Sequence, residues 1–364
     1  MVPSDAGAEA IAAPEKKIFP SIGPHAFEHP LDRTALMALQ KVPGLDWLIK
    51  NVVAAVGDKR LRLYFLASAV RVDDRQFPRV HRAYLEACRV LDVREPPELF
   101  VTQRMAVNAA AIGLGKPIVV LTGPLLEMLD DRELQCILGH ELGHVLCGHA
   151  RYTTLVLLLL NAWYAFSGIP GGMLAIQLVR MALLEWSRKA ELSADRAGLL
   201  VAQDPSVCYR VDMKLAGGLR GGELNLEAFL AQAEEYRQGG DLLDGILKIS
   251  LLLDQSHPLP ALRVAELAAW VESGDYQRIL DGTYERRGEA ADRDLTDSAR
   301  SAAAGYKEAI ASAFEEISSG AQATGQQIFD LLRRATRGPE PAGQPSEKAP
   351  EASEAPTPGP KRTL

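Results

Sequence analysis

The sequence predicts an α+β fold, mainly helical, with a small β-sheet edge beside one central helix. Three observations carry this reading. Residues 135–146 repeat apolar side chains at three- and four-residue steps around two histidines. Residues 188–198 set two carboxylates four apart on a second helix. Residues 98–103 and 117–121 read as strands around a Gly-containing turn.

The central helix has its own start signal. Asp130 followed by Glu133 is an N-terminal cap, and Leu134, Ile137, Leu138, Leu142, Val145 and Leu146 then share the face toward a core. His140 and His144 interrupt that face in an H-E-x-x-H pattern. Four residues apart on a helix, their rings can reach one ion at about 2 Å, the bond length of tetrahedral zinc. Glu141 is turned about 100° from His140 and can hold a water in the fourth position. The plainer alternative is two histidines satisfied by hydrogen bonds in a core helix, so a third ligand has to decide.

A histidine ten residues after the first, preceded by a bend at glycine, is one known solution. Those places here hold Cys147 and Ala150, with Gly148 and His149 each one residue away, and one residue on a helix is about 100° of rotation. That class is excluded. Glu191 is the better third ligand, with Asp195 one turn on to accept the free ring N–H of a ligating histidine and fix its tautomer. Alone, the two would read as a solvated helix face.

With these residues in view, the chain resembles the HtpX-like and CAAX-prenyl-endopeptidase-like zinc metallopeptidases, metallopeptidase family 48, whose pattern is H-E-x-x-H followed by E-x-x-x-D. Asn108 and Ala109, ahead of residues 117–123, are similar to the family's N-A stretch and the strand after it. His149 stands where many members keep a histidine, and residues 256–263 resemble an H-P stretch with an arginine six residues after the histidine. The resemblance covers residues 98–270. It implies a zincin-like catalytic domain holding one zinc per chain on His140, His144 and Glu191, with Glu141 as general base. It also implies Asp195, His149 and Arg263 behind the ligands, His257 and Arg263 near a bound polypeptide, and Asn108 and Ala109 where an extended substrate pairs with the sheet edge. His257 is the candidate donor to the oxyanion.

Composition bounds the rest. The 364 residues are 47% hydrophobic, enough for a large core, and a net charge of −7 without a basic cluster argues against a nucleic-acid partner. Cys88, Cys136, Cys147 and Cys208 form no C-x-x-C pair and are expected to be reduced thiols of a cytosolic setting. The first 18 residues lack a basic region followed by an apolar run, so no signal peptide is expected.

The expected order is a flexible tail at 1–30, a helical region at 31–97, a catalytic domain at 98–272, a helical region at 273–336 and a disordered tail at 337–364. In the second of these, residues 32–41, 45–56 and 78–91 read as helices, the last with Tyr84, Leu85 and Cys88 on its apolar side. His25, His29 and His81 are isolated and are assigned to the surface or to local hydrogen bonds. After the catalytic domain, residues 306–334 carry an amphipathic helix that packs on it, and the repeated Pro, Glu, Ala and Ser beyond give the disordered tail.

Within the catalytic domain, residues 153–184 form an apolar hairpin around Ser167-Gly168-Ile169-Pro170-Gly171-Gly172. Its arms, about 12 to 16 residues each, fall below the roughly 20 that span a bilayer, and Arg180 lies in the second. The hairpin is therefore expected to pack on protein or lie on a membrane, with two true spans as the less favoured alternative, and the chain to work on the cytoplasmic side, soluble or membrane-associated. Substrate identity, including whether membrane proteins are cut, lies beyond the pattern. A catalytically inactive binding scaffold is the alternative, and the presence of every ligand and the base argues against it.

Overall fold

The computed structural model describes residues 15–40, 45–162, 172–218, 223–238 and 259–289. The fold is α+β and mainly helical, as the sequence predicts. A four-stranded mixed sheet comprises β1 (Val70–Arg71), β2 (Glu98–Thr102), β3 (Ala109–Ile112) and β4 (Ile118–Thr122), in the order β1-β2-β4-β3. The strands expected at 98–103 and 117–121 are present, but they do not form a hairpin. They lie parallel, Glu98 opposite Ile118 through Thr102 opposite Thr122, and β3 pairs antiparallel with β4 as the edge. The glycine turn at 113–115 joins β3 to β4.

Period-two alternation sends the two faces of this sheet into different packing. Leu99, Val101, Val119 and Leu121 enter the main core with α3 (Pro78–Val90) and α5 (Asp131–Leu146). Phe100, Ile112, Ile118 and Val120 meet Phe65 of α2 (Leu45–Ser68), a helix broken at Gly57 where φ is 61°. Asp58, next to that break, accepts hydrogen bonds from the N–H groups of Leu114 (2.8 Å), Gly115 (3.2 Å) and Lys116 (2.9 Å), so α2 clamps the turn at the end of the edge strand. On α3, Tyr84 and Cys88 are buried as expected, whereas Leu85 points to solvent: the apolar stripe runs Val80, Ala83, Tyr84, Ala87.

Around this lie α1 (Pro30–Leu39), a short α4 (Gly123–Met128), α6 (Ala150–Ala162), α7 (Gly172–Ala202), α8 (Pro205–Gly217), α9 (Leu226–Gln238), α10 (Pro260–Glu272) and α11 (Asp275–Leu280). The second arm of the predicted hairpin is no separate element. It is the front of α7, 31 residues long, which also carries Glu191 and Asp195. No helix among the described residues is long and apolar enough to cross a membrane.

Residues 15–29 correct the expectation of a loose segment through residue 30. Phe19, Ile22 and Phe27 are buried in the main core, and three backbone hydrogen bonds hold the strap. They run from Phe19 N–H to the Val90 carbonyl, from Gly23 N–H to the Glu285 carbonyl, and from Arg287 N–H to the Ser21 carbonyl. A tract rich in Ala, Pro and Gly still supplied three large apolar side chains, and their burial outweighs the entropy of ordering it. His29 makes a local hydrogen bond, its Nδ1 accepting from the Leu31 N–H, and its ring is buried, while His25 stays local against Glu28. His257 and the stretches 306–334 and 337–364 lie outside the described residues.

Candidate metal centre

The site is built by α5 and α7. The cap expected for α5 is a full capping box: Asp130 accepts from the N–H groups of Arg132 and Glu133, and Glu133 accepts from the Asp130 N–H at 2.9 Å. Glu133 is itself buried and pairs with Lys214 of α8 at 2.6 Å, fixing the helix start to the core. Glycine then brings α7 against α5. A β-carbon at position 143 would stand 2.7 Å from that of Ala197, and one at 139 would stand 2.7 Å from the Val201 side chain. At the far end Gly148, with φ +72°, turns the chain so that His149 comes back to His144.

This close crossing gathers His140, His144 and Glu191, all buried, with their ligand atoms within 4.8 Å of one another. Nε2 of His140 lies 3.4 Å from Oε2 of Glu191, and Nε2 of His144 lies 3.2 Å from Oε1. A tetrahedral ion with bonds of about 2.0–2.1 Å sets neighbouring ligand atoms about 3.3 Å apart, so the donor set fits a zinc-like ion. Glu141 is buried on the same helix.

The two rings differ in protonation. Burial pushes His144 down to about 4, so it is neutral, as a ligand must be. Burial also opposes charge on His140, but Asp195 and Glu191 outweigh it and raise this group well above the ordinary histidine range. An ion binding at Nε2 of His140 would therefore have to displace a proton held by that ring.

Behind His140, Oδ1 of Asp195 lies 2.9 Å from Nδ1 of the histidine. Arg263 of α10 holds that carboxylate with two donors, Nε reaching Oδ2 at 2.8 Å and Nη2 reaching Oδ1. The arginine is buried beside Asp195, and its Nη1 is 3.4 Å from Asp212 of α8. Burial, with Asp195 and Glu191 adding to it, raises Asp212 to about 7 despite Arg263, whose guanidinium is already committed to Asp195.

Behind His144 stands a longer chain that sequence reasoning only half found. Nδ1 of His149 is 3.0 Å from Nδ1 of His144, and Nε2 of His149 is 3.0 Å from Oδ2 of Asp32. His149 and Asp32 are both 0% exposed. Ser193 and Trp186 of α7 donate to the Asp32 carboxylate at 2.5 and 3.1 Å. Asp32 opens the predicted helix at 32–41, but no local spacing ties it to a residue more than a hundred positions on. Ala109 begins the edge strand, and Asn108, just before it, donates its N–H to Thr122 Oγ1 at 3.0 Å.

A helical domain with a small mixed sheet, whose H-E-x-x-H helix crosses a second helix to gather two histidines and a glutamate, defines a zincin-like metallopeptidase. Residues 74–271, more than half of the chain, match the model of peptidase family M48. The chain belongs to that family and is a metalloprotease acting on polypeptides. It is 34% identical over 268 residues to the plastoglobule-localized metallopeptidase 48, chloroplastic, of Arabidopsis thaliana, covering 72% of this chain and 77% of that one. It is 26% identical over 172 residues to the protease HtpX homolog 2 of Methanosarcina acetivorans, covering 40% of this chain and 58% of that protein. To the mitochondrial metalloendopeptidase OMA1 of Arabidopsis thaliana it is 32% identical over 136 residues, 35% of this chain and 27% of the relative. No solved structure matches the chain significantly.

Proposed function

We propose that the chain is a zinc-dependent endopeptidase in which His140, His144 and Glu191 hold the ion and Glu141 is the general base. The observation that carries this is the buried cluster of His140, His144 and Glu191, whose ligand atoms, one from each, lie within 4.8 Å of one another, close enough to share one ion. When bound, zinc supplies an acidified water and polarises the scissile carbonyl.

Glu141 takes a proton from the attacking water as its oxygen bonds to the carbonyl carbon, then delivers that proton to the amide nitrogen as the C–N bond breaks. His257 donates to the oxyanion that forms between these steps. Asp195, held by Arg263, keeps the His140 ring oriented. The substrate lies extended against β3, the edge strand among the described residues, from Asn108 and Ala109 onward, where main-chain hydrogen bonds accept many sequences.

The apolar run at 155–160, with Leu157 exposed on α6, favours polypeptides presented at a membrane surface, membrane proteins included. Four free cysteines accord with work on the cytoplasmic side.

The test is zinc stoichiometry and casein cleavage by purified protein, with Glu141→Gln as the variant. The amide keeps size and loses basicity, so the variant should bind one zinc per chain and lose cleavage by at least about 100-fold, the scale of a general base. Undiminished cleavage by Glu141→Gln would remove the glutamate from this role.

A further inference from the structure

We propose that Asp32 is a positioning residue for the metal ligand His144, acting through His149. The inference rests on the reading of His140, His144 and Glu191 as the metal ligands and extends it to a residue outside the 74–271 span that matches the family.

The argument is one of proton placement along a line of three side chains. Two imidazole nitrogens 3.0 Å apart, Nδ1 of His144 and Nδ1 of His149, share a single proton, so one ring donates and the other accepts. The remaining nitrogen of His149 decides which. Nε2 lies 3.0 Å from Oδ2 of Asp32, at ion-pair distance though off the angle of a hydrogen bond, and a carboxylate that close, with no proton to give when ionised, favours N–H at Nε2. His149 then presents a lone pair at Nδ1, His144 donates its Nδ1–H to it, and the His144 lone pair is left at Nε2, the atom 3.2 Å from Glu191. Each ligand histidine thus ends on a carboxylate from another helix: His140 directly on Asp195 of α7, His144 through one further ring on Asp32 of α1.

The surroundings restrict the alternatives. Asp32 and His149 are fully enclosed, so water cannot replace either partner. Ser193 and Trp186 hold the carboxylate by its two oxygens, and the Trp186 ring packs edge-on against His149 with centroids 5.4 Å apart. An asparagine at 32 would fill the same space but could offer an amide N–H to Nε2, which reverses the tautomer of His149 and puts a proton on Nε2 of His144, where the ion binds.

The test compares wild type with Asp32→Asn for equilibrium zinc affinity and for the rate of zinc loss to an excess of a chromophoric chelator, alongside thermal unfolding of both metal-free proteins. Loss of a carboxylate behind a ligating histidine typically weakens metal binding about 10- to 100-fold. That loss is expected here, with metal-free unfolding midpoints nearly equal. A variant that binds zinc within threefold of wild type overturns the proposal, and a lowered midpoint with unchanged zinc affinity assigns Asp32 a structural role only. Should Asp32→Asn fail to fold, nitrogen-15 spectra of the histidines in the wild-type zinc protein decide: a proton on Nε2 of His149 and none on its Nδ1 supports the proposal, and the opposite tautomer overturns it. If wild type itself takes up no zinc, the ligand assignment fails rather than the role of Asp32.

Discussion

Gly143 faces Ala197 so closely that a β-carbon on the glycine would stand 2.7 Å from the alanine's. This contact sets how near α5 comes to α7, and so the size of the cage formed by two histidines on one helix and a glutamate on the other. Gly143→Val should force the helices apart, lower stability by about 2–3 kcal/mol and weaken zinc binding with it. Gly148→Ala is the contrast: nothing lies within 4 Å, so only the left-handed backbone is strained, at about 1–2 kcal/mol. Thermal unfolding and zinc titration of both variants check this, and a Gly143→Val protein with wild-type zinc affinity would count against the spacing argument.

The two carboxylates of α7 should separate by metal content. Glu191→Ala removes a ligand and is expected to leave the purified protein nearly free of zinc. Asp195→Asn keeps the ligand set and disturbs only the His140 ring, so it should retain metal with affinity reduced about 10- to 100-fold. Elemental analysis showing full occupancy in both variants would reverse the assignment.

Zinc affinity should rise with pH. His140 is raised well above its ordinary range in the metal-free site, mainly by Asp195 and Glu191 acting against burial, so below its pKa it holds a proton that the ion must displace. Raising the pH removes that proton and favours the metal, with a limiting slope of about tenfold per unit. His144, lowered to about 4, adds no second proton at neutral pH. Zinc titrations between pH 6 and pH 8 measure the slope, and an affinity independent of pH contradicts it.

The α6 and α7 helices should bring the protein to a membrane without crossing it. We expect protein expressed without detergent to be partly soluble, and carbonate washing to release whatever fraction sediments with membranes. The ground is arm length and charge: α6 has 13 residues, about 20 Å at 1.5 Å per residue against a hydrocarbon core of about 30 Å, and Arg180 lies in the front of α7. Recovery only in a carbonate-resistant pellet would show otherwise.

The metal cage was legible because helical period is local. His140 to His144 and Glu191 to Asp195 are each one turn, and the strands beside them carry ordinary apolar runs. What escaped was set by distant packing. The strands at 98–102 and 118–122 look like the arms of a hairpin until β3 is placed, since a short Ala-rich edge strand has little signal of its own. Leu85 has the apolar character of a core residue but lies off the stripe that α3 turns inward. Asp32 is one acidic residue near a helix start, and only the fold shows that its carboxylate faces His149. Arg263 was legible through the family pattern, and the fold adds its two donors to the Asp195 carboxylate.

The strap at 15–29 and the residues just after α11 close the described chain on itself: Ile22 bridges Arg286, and the Tyr284 hydroxyl donates to the Pro20 carbonyl at 3.2 Å. Few contacts in a chain join residues so far apart in order, and such contacts form late because the intervening loop must close first. During synthesis the earliest of these residues would wait for almost the last of them. Phe19 and Ile22 would gain their final cover only when residue 286 has left the ribosome, and the clasp would mark the point at which the peptidase core is complete.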